Sequence, residues 1–190
     1  MTVPKIQDKQ QAIVDAAIAV FSSRGFWNTP TSLISKTAGV ADGTLFNYFK
    51  TKDDLISEVY LEIKREVADE LMNGLDAYET FHDKMQHIWT RYIHWGVNNP
   101  DKFKVLQQIG LSYDLADEVK AQGNEPFTEI SRLAGESIAK GELRSYPVDY
   151  LAALMDGQTI ATIRFISLNP EKQADYVKIG FDILWNGVIR

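Results

Sequence analysis

Apolar positions recur at helical spacing from one end of the chain to the other. Ile13, Ala16, Ala17, Val20 and Phe21 fall at i, i+3, i+4, i+7 and i+8, a single face of an α-helix, with Gly25 as its stop. Thr29-Pro30 reads as an N-cap followed by proline at the first helical position, opening a short helix that runs to Ala38. Gly39 breaks it, and a second short helix covers about Asp42 to Phe49. Thr51 caps a longer helix from Lys52 towards Asn73, closed by the Asn73-Gly74 turn. Further helices are predicted over 78–98, 100–112, 124–140, 147–168 and 171–189, and residues 113–122 leave room for another short one. The breaks lie at Asn98-Asn99-Pro100, Gly123-Asn124-Glu125-Pro126, Gly141 and Asn169-Pro170. Strand-like alternating patterns joined by turn pairs such as Asn-Gly are absent, so the predicted fold class is all-α.

Composition narrows the setting. The 190 residues are 45% hydrophobic and contain no cysteine, which suits one large or two small domains and excludes disulfides and thiolate zinc sites. Met1 to Gln11 is polar, and no apolar run approaches the roughly 20 residues needed to span a bilayer. A cytoplasmic protein with no membrane partner is expected. The net charge of −6 taken alone argues against a nucleic-acid binder. The charge is uneven, however: residues 1–56 sum to +1 and residues 57–190 to −7, with Lys36, Lys50 and Lys52 clustered in the first part.

Two short helices joined by a Gly-containing turn form a minimal helix-turn-helix. Its first helix braces across the phosphate backbone while the second lies in the major groove, burying one face and offering the other. Leu45 and Phe49, at i and i+4, form the inner face, set to pack on Ile34, Ala38, Val40, Phe21 and Leu55. Asp42, Gly43, Phe46 and Asn47 point outward, with Thr44 and Tyr48 on the flanks.

The run Ala38-Gly39-Val40-Ala41-Asp42-Gly43-Thr44-Leu45-Phe46-Asn47-Tyr48-Phe49-Lys50-Thr51-Lys52-Asp53-Asp54-Leu55 resembles the TetR (tetracycline repressor) family, whose pattern is close to A-G-V-S-x-G-T-L/I-Y-x-Y/H-F-x-x-K-x-x-L. Phe21, Gly25 and Phe26 extend the match upstream to roughly residues 8–60. The resemblance implies a three-helix DNA-binding domain over 1–56 and a helical effector-binding and dimerisation domain over 57–190. It also implies roles. Thr44 bonds a phosphate or base edge, Tyr48 a phosphate, and Lys52 neutralises a phosphate at a helix N-terminus. Thr29, Thr31 and Ser32 meet the backbone or groove from the preceding helix, and Gly43 allows close approach. Three positions depart from the pattern. Ala41 replaces the capping serine, so that either Asp42 takes over as cap or the helix is frayed and settles on DNA. Phe46 replaces a tyrosine and keeps only contact with a thymine methyl. Asp42 is placed to accept from cytosine N4.

The C-terminal region holds 15 of the 21 aromatics. Trp89, Tyr92, Phe103, Tyr113, Phe127 and Phe165, with Gln107, Gln158 and Thr162 as polar partners, are the candidate lining of the effector cavity that the resemblance implies. A largely apolar or aromatic ligand is expected. The last two helices carry apolar stripes with glycines: Leu154, Gly157 and Ala161 on one, and Tyr176, Ile179, Gly180, Ile183, Leu184 and Gly187 on the other. An isologous homodimer joining these helices in a four-helix bundle is expected. It sets two reading helices about 34 Å apart on a palindromic double-stranded operator.

Two rivals remain open. One is an interaction module that keeps the helix-turn-helix without DNA binding. The other is a metal-binding helical protein using His82, His87 and His94 with Glu79 and Asp83, but the intervening Arg91 would repel a cation. Nucleophile–base signatures and phosphate-cradling loops are absent, so no catalysis and no cofactor are expected.

Overall fold

The structure, a computed structural model, describes residues 6–190; the first five residues of the polar N-terminal stretch lie outside the described residues. Among the described residues the chain is α-helical, and its β-type pairing is an isolated bridge between Leu143 and Ile189. It divides into two compact units, neither continuous in sequence. One holds the described residues up to Arg65 together with Pro100–Gly123, and the other holds Glu66–Asn99 with Asn124–Arg190. The 56/57 boundary drawn from sequence falls inside a helix that runs from one unit into the other.

In the first unit, α1 (Ile6–Arg24) is buried beyond the single face its periodicity marks, because Val14 and Ile18 are buried too. Its main neighbours are α2 (Thr31–Thr37) and α6 (Pro100–Ser112), and Ser22 Oγ donates to Asp101 of α6 at 2.6 Å. Gly25 and Gly39 take left-handed φ of 75° and 68° at the ends of α1 and α2, a conformation other residues rarely adopt. The short helix α3 (Asp42–Tyr48) follows. A reciprocal box caps α4 (Lys52–Met72): the Asp54 amide donates to Thr51 Oγ1 at 3.0 Å, and the Thr51 amide donates to Asp54 Oδ2 at 2.9 Å. Residues 113–122 resolve into a linker and α7 (Asp117–Asn124).

Two N-caps differ from expectation. Thr29 does not cap α2: its hydroxyl donates back to the Gly25 carbonyl at 2.7 Å, and Pro30 stands at the N-cap in extended conformation. Asp42 does not cap α3: Ala41 holds that position without a side-chain bond, and Asp42 begins the first turn.

The second unit packs α5 (Phe81–Asn98) against α8 (Thr128–Ala139), α9 (Val148–Leu168) and α10 (Gln173–Val188). Thr80 delays α5 to residue 81 by capping it, accepting from the Asp83 amide at 3.1 Å. Trp89 is wholly buried, and its indole N–H donates to the Val177 carbonyl at 2.7 Å, tying α5 to α10. Gly180 is the other half of that joint. A Cβ there would stand 2.5 Å from Trp89 Cζ2 and 2.6 Å from Thr162 Oγ1. Gly180 is therefore buried within the unit and is not available to the dimer surface assigned to it from sequence. Gly180→Ala is expected to destabilise the protein by about 1–3 kcal/mol through overpacking, read as a lower denaturation midpoint with unchanged helix content.

Candidate nucleic-acid interface and ligand sites

The inner face of α3 is fully assigned. Leu45 is wholly buried and Phe49 nearly so, sharing a core with Phe21, Ile34 and Leu55. The outer face follows from their spacing: Asp42, Gly43, Phe46 and Asn47 are exposed, and Thr44 and Tyr48 are half-buried on its flanks. On α2, Ser32 is exposed and Thr31 half-buried. A Cβ on Gly43 would meet nothing within 4 Å, so the fold itself does not require glycine there.

Several polar groups expected at the DNA surface are engaged inside the unit. Thr29 is only 2% exposed with its hydroxyl on Gly25, and so offers no contact surface. One Asp42 carboxylate oxygen accepts from Ser35 Oγ, bracing α3 to α2. Lys52 Nζ donates to the Phe26 carbonyl and to the Thr29 carbonyl, the latter at 2.7 Å, clamping the α1–α2 turn onto the start of α4. Burial lowers the Lys52 pKa from its ordinary value, opposed by the charge of Asp53. Three contacts of Tyr113 escaped the sequence reading. Tyr113 donates to Asp53 Oδ1, and its ring lies 5.7 Å from Phe26 and 5.8 Å from Trp27. Trp27 itself is 75% exposed in the α1–α2 turn.

The residues predicted to line an effector cavity separate into groups. Phe103, Gln107 and Tyr113 belong to the first unit, the other six to the second. Trp89 is a sealed core residue, because its one polar atom is spent on Val177. Phe165 is 53% exposed on α9 with its ring 5.8 Å from Tyr176 of α10, so it belongs to an outer face. Thr162 is buried with its hydroxyl on the Gln158 carbonyl at 2.8 Å. Tyr92 is buried, and burial together with the nearby Asp156 charge raises its pKa; Gln158, Phe127 and Gln107 are half-buried and Phe103 is buried. Two buried polar atoms of the second unit, His87 Nε2 and Thr159 Oγ1, have no hydrogen-bond partner, and periodicity gave no hint of either. In the first unit, Tyr113 lines an open groove of about 490 Å³ with Tyr60, Ile109, Gly110, Leu111, Asp114, Leu115 and Lys120.

The outer face of α9 and α10 is apolar over Ile160, Phe165, Leu168, Ile179 and Ile183, all exposed. Gly157, Ala161 and Gly187 are exposed beside them, while Leu154, Tyr176 and Leu184 are half-buried. Among the described residues no three His, Asp or Glu gather as a metal site. His82 instead lies edge-on to Trp185 and Phe181, and His87 lies 5.0 Å from the Tyr78 ring. Among the described residues no helix is long and apolar enough to cross a membrane.

A helical head with a buried inner face and an open outer one, joined to a helical body, defines a DNA-binding regulator of the helix-turn-helix class. Residues 13–59 match the family described as bacterial regulatory proteins, tetR family. A crystal structure described as a tetR family transcription regulator of Shewanella sp. PV-4 aligns with TM-score 0.87 and 30% identity, covering 96% of this chain and 98% of that one. The chain belongs to the tetR family of transcription regulators. It is 30% identical over 84 residues to the fatty acid metabolism regulator protein of Bacillus subtilis, 44% of this chain and 43% of that protein. The aligned part thus spans about half the length, or less, of this and two further curated relatives. The structure of FadR from Bacillus subtilis in complex with stearoyl-CoA shares the fold, with TM-score 0.72 and 22% identity over 93% of this chain and 98% of that one.

The clamp geometry gives Lys52 a measurable signature. Lys52→Met is expected to lower the melting temperature and weaken DNA binding, while the slope of log affinity against log salt stays unchanged. A phosphate contact would instead reduce that slope by about 0.9.

Proposed function

We propose that this regulator is a ligand-responsive repressor that holds a palindromic operator as a homodimer in the cytoplasm and is released by a small, largely apolar or aromatic effector. Residues 1–56 read DNA through Ser32, Thr31, Asp42, Gly43, Thr44, Phe46, Asn47 and Tyr48, and residues 57–190 supply dimerisation and the effector site. The observation that carries the reading is the exposed apolar face of α9 and α10. Monomeric proteins rarely leave such a contiguous patch in water. A two-fold partner covers it with the same face of a second copy. Two reading heads about 34 Å apart then meet successive major grooves. The unpartnered His87 Nε2 and Thr159 Oγ1 support an effector in the second unit, since a buried polar atom left unpaired costs about 1–3 kcal/mol and a ligand group removes that cost. Effector and operator affinities are then reciprocally coupled by about 1–3 kcal/mol.

Light scattering at micromolar concentration is expected to give a dimer for the wild type and a monomer for Ile183→Asp, whose side chain is exposed in the single chain. A monomeric wild type would overturn the assembly. Gel shifts with DNA flanking the protein's own gene are expected to show a discrete complex, lost with Ile183→Asp and weakened about tenfold by Thr44→Ala. A Thr44→Ala protein that binds like wild type, or an effector that tightens operator binding, would overturn the reading.

A further inference from the structure

One side chain of α3 is both free and turned directly away from the core of the head. At about 100° per residue, Asn47 lies about 180° from the mean direction of the buried pair Leu45 and Phe49, at the crest of the outer face. It is exposed, and among the described residues its amide makes no hydrogen bond. The rest of that face is committed or lacks polar groups. Asp42 is tied back to Ser35. Phe46 is exposed but apolar, and Thr44 and Tyr48 are half-buried on the flanks. Gly43, one turn before Asn47 on the same side, is exposed and places no side chain beside it.

A free carboxamide selects among bases. It holds one donor and one acceptor side by side in one plane. In the major groove adenine presents the complementary pair, N7 as acceptor and the N6 amino group as donor. Guanine presents two acceptors, cytosine an amino donor, and thymine an acceptor beside a methyl group. On adenine, Asn47 Nδ2 donates to N7 while Oδ1 accepts from N6; each other base leaves one of the two atoms without a partner. The flanking hydroxyls of Thr44 and Tyr48 suit phosphates, which position a helix but carry no sequence information. We propose that Asn47 reads an adenine in each half-site; this specificity rests on the operator binding proposed above.

The full chain can be used to enrich duplexes from a random-sequence pool, with affinities then compared at one fixed salt concentration. The enriched duplexes are expected to hold a fixed A·T pair in each half-site. Placing 7-deazaadenine at that pair in one half-site removes the N7 acceptor. It is expected to weaken the wild type about tenfold and to leave the affinity of Asn47→Ala unchanged. Asn47→Asp keeps the shape of the side chain but loses the donor. It is expected to turn the preference at that pair from adenine to cytosine, whose amino group a carboxylate accepts. Both variants are expected to melt with the wild type, because the position is exposed. Enriched duplexes without a fixed adenine, wild-type binding that tolerates 7-deazaadenine, or an adenine preference that either variant keeps would overturn the assignment and leave operator binding standing. A pool from which no duplex is enriched would overturn operator binding and the assignment with it.

Discussion

Seven residues cannot hold a helix together in water, yet both α2 and α3 have that length and α3 carries the surface proposed to read DNA. Their conformation is maintained by what they bury. Leu45 and Phe49 enter a core that already holds Ile34, Phe21 and Leu55, and this burial keeps α3 helical. The rest of the head follows from it. The i, i+4 spacing of the inner pair sets which residues face outward, and the left-handed turn at Gly39 sets where α3 begins. The double duty of α1 has the same origin: it supplies the floor under the two short helices on one side and the seat for α6 on the other.

Polar chemistry in the head is largely spent on the head. Thr29 bonds Gly25, Ser35 bonds Asp42, Lys52 holds two carbonyls, and Thr51 and Asp54 satisfy each other. These bonds fix the α1–α2 turn and the angle between the short helices before any DNA arrives, so less ordering remains to be done on binding. They also leave few cations for phosphates; Lys36 and Lys50 remain exposed. In a chain of net charge −6, weak sequence-independent attraction to DNA is expected, and the proposed reading leaves discrimination to the outer face of α3.

Much of this was legible in the sequence, because period and punctuation are local. The helix ends at Gly25, Gly39 and Asn73-Gly74 and the buried pair Leu45 and Phe49 are all read from neighbours within a few positions. What escaped depends on choices between equivalent local options or on distant partners. Thr29 can cap α2 or turn back to Gly25, and the sequence favours neither. An aromatic at helical spacing looks the same whether it lines a cavity or fills a core; for Trp89 the deciding contact lies on Val177, in α10. The glycines of α10 look alike in sequence. Gly187 is exposed and Gly180 accommodates the edge of an indole from α5. The Tyr113–Asp53 bond joins residues 60 positions apart and leaves no periodic trace.

The interleaving of the two units has a consequence for recombination. The chain passes from one unit to the other after Arg65, after Asn99 and after Gly123. A chimaera that grafts only the first 56 residues onto the body of a relative would leave α6 and α7 behind, separating Ser22 from Asp101 and Asp53 from Tyr113. Exchangeable DNA specificity in this chain therefore calls for three coordinated crossovers or for substitutions confined to the outer face of α3. Gradual drift on that face is the easier route by which such a regulator acquires a new operator.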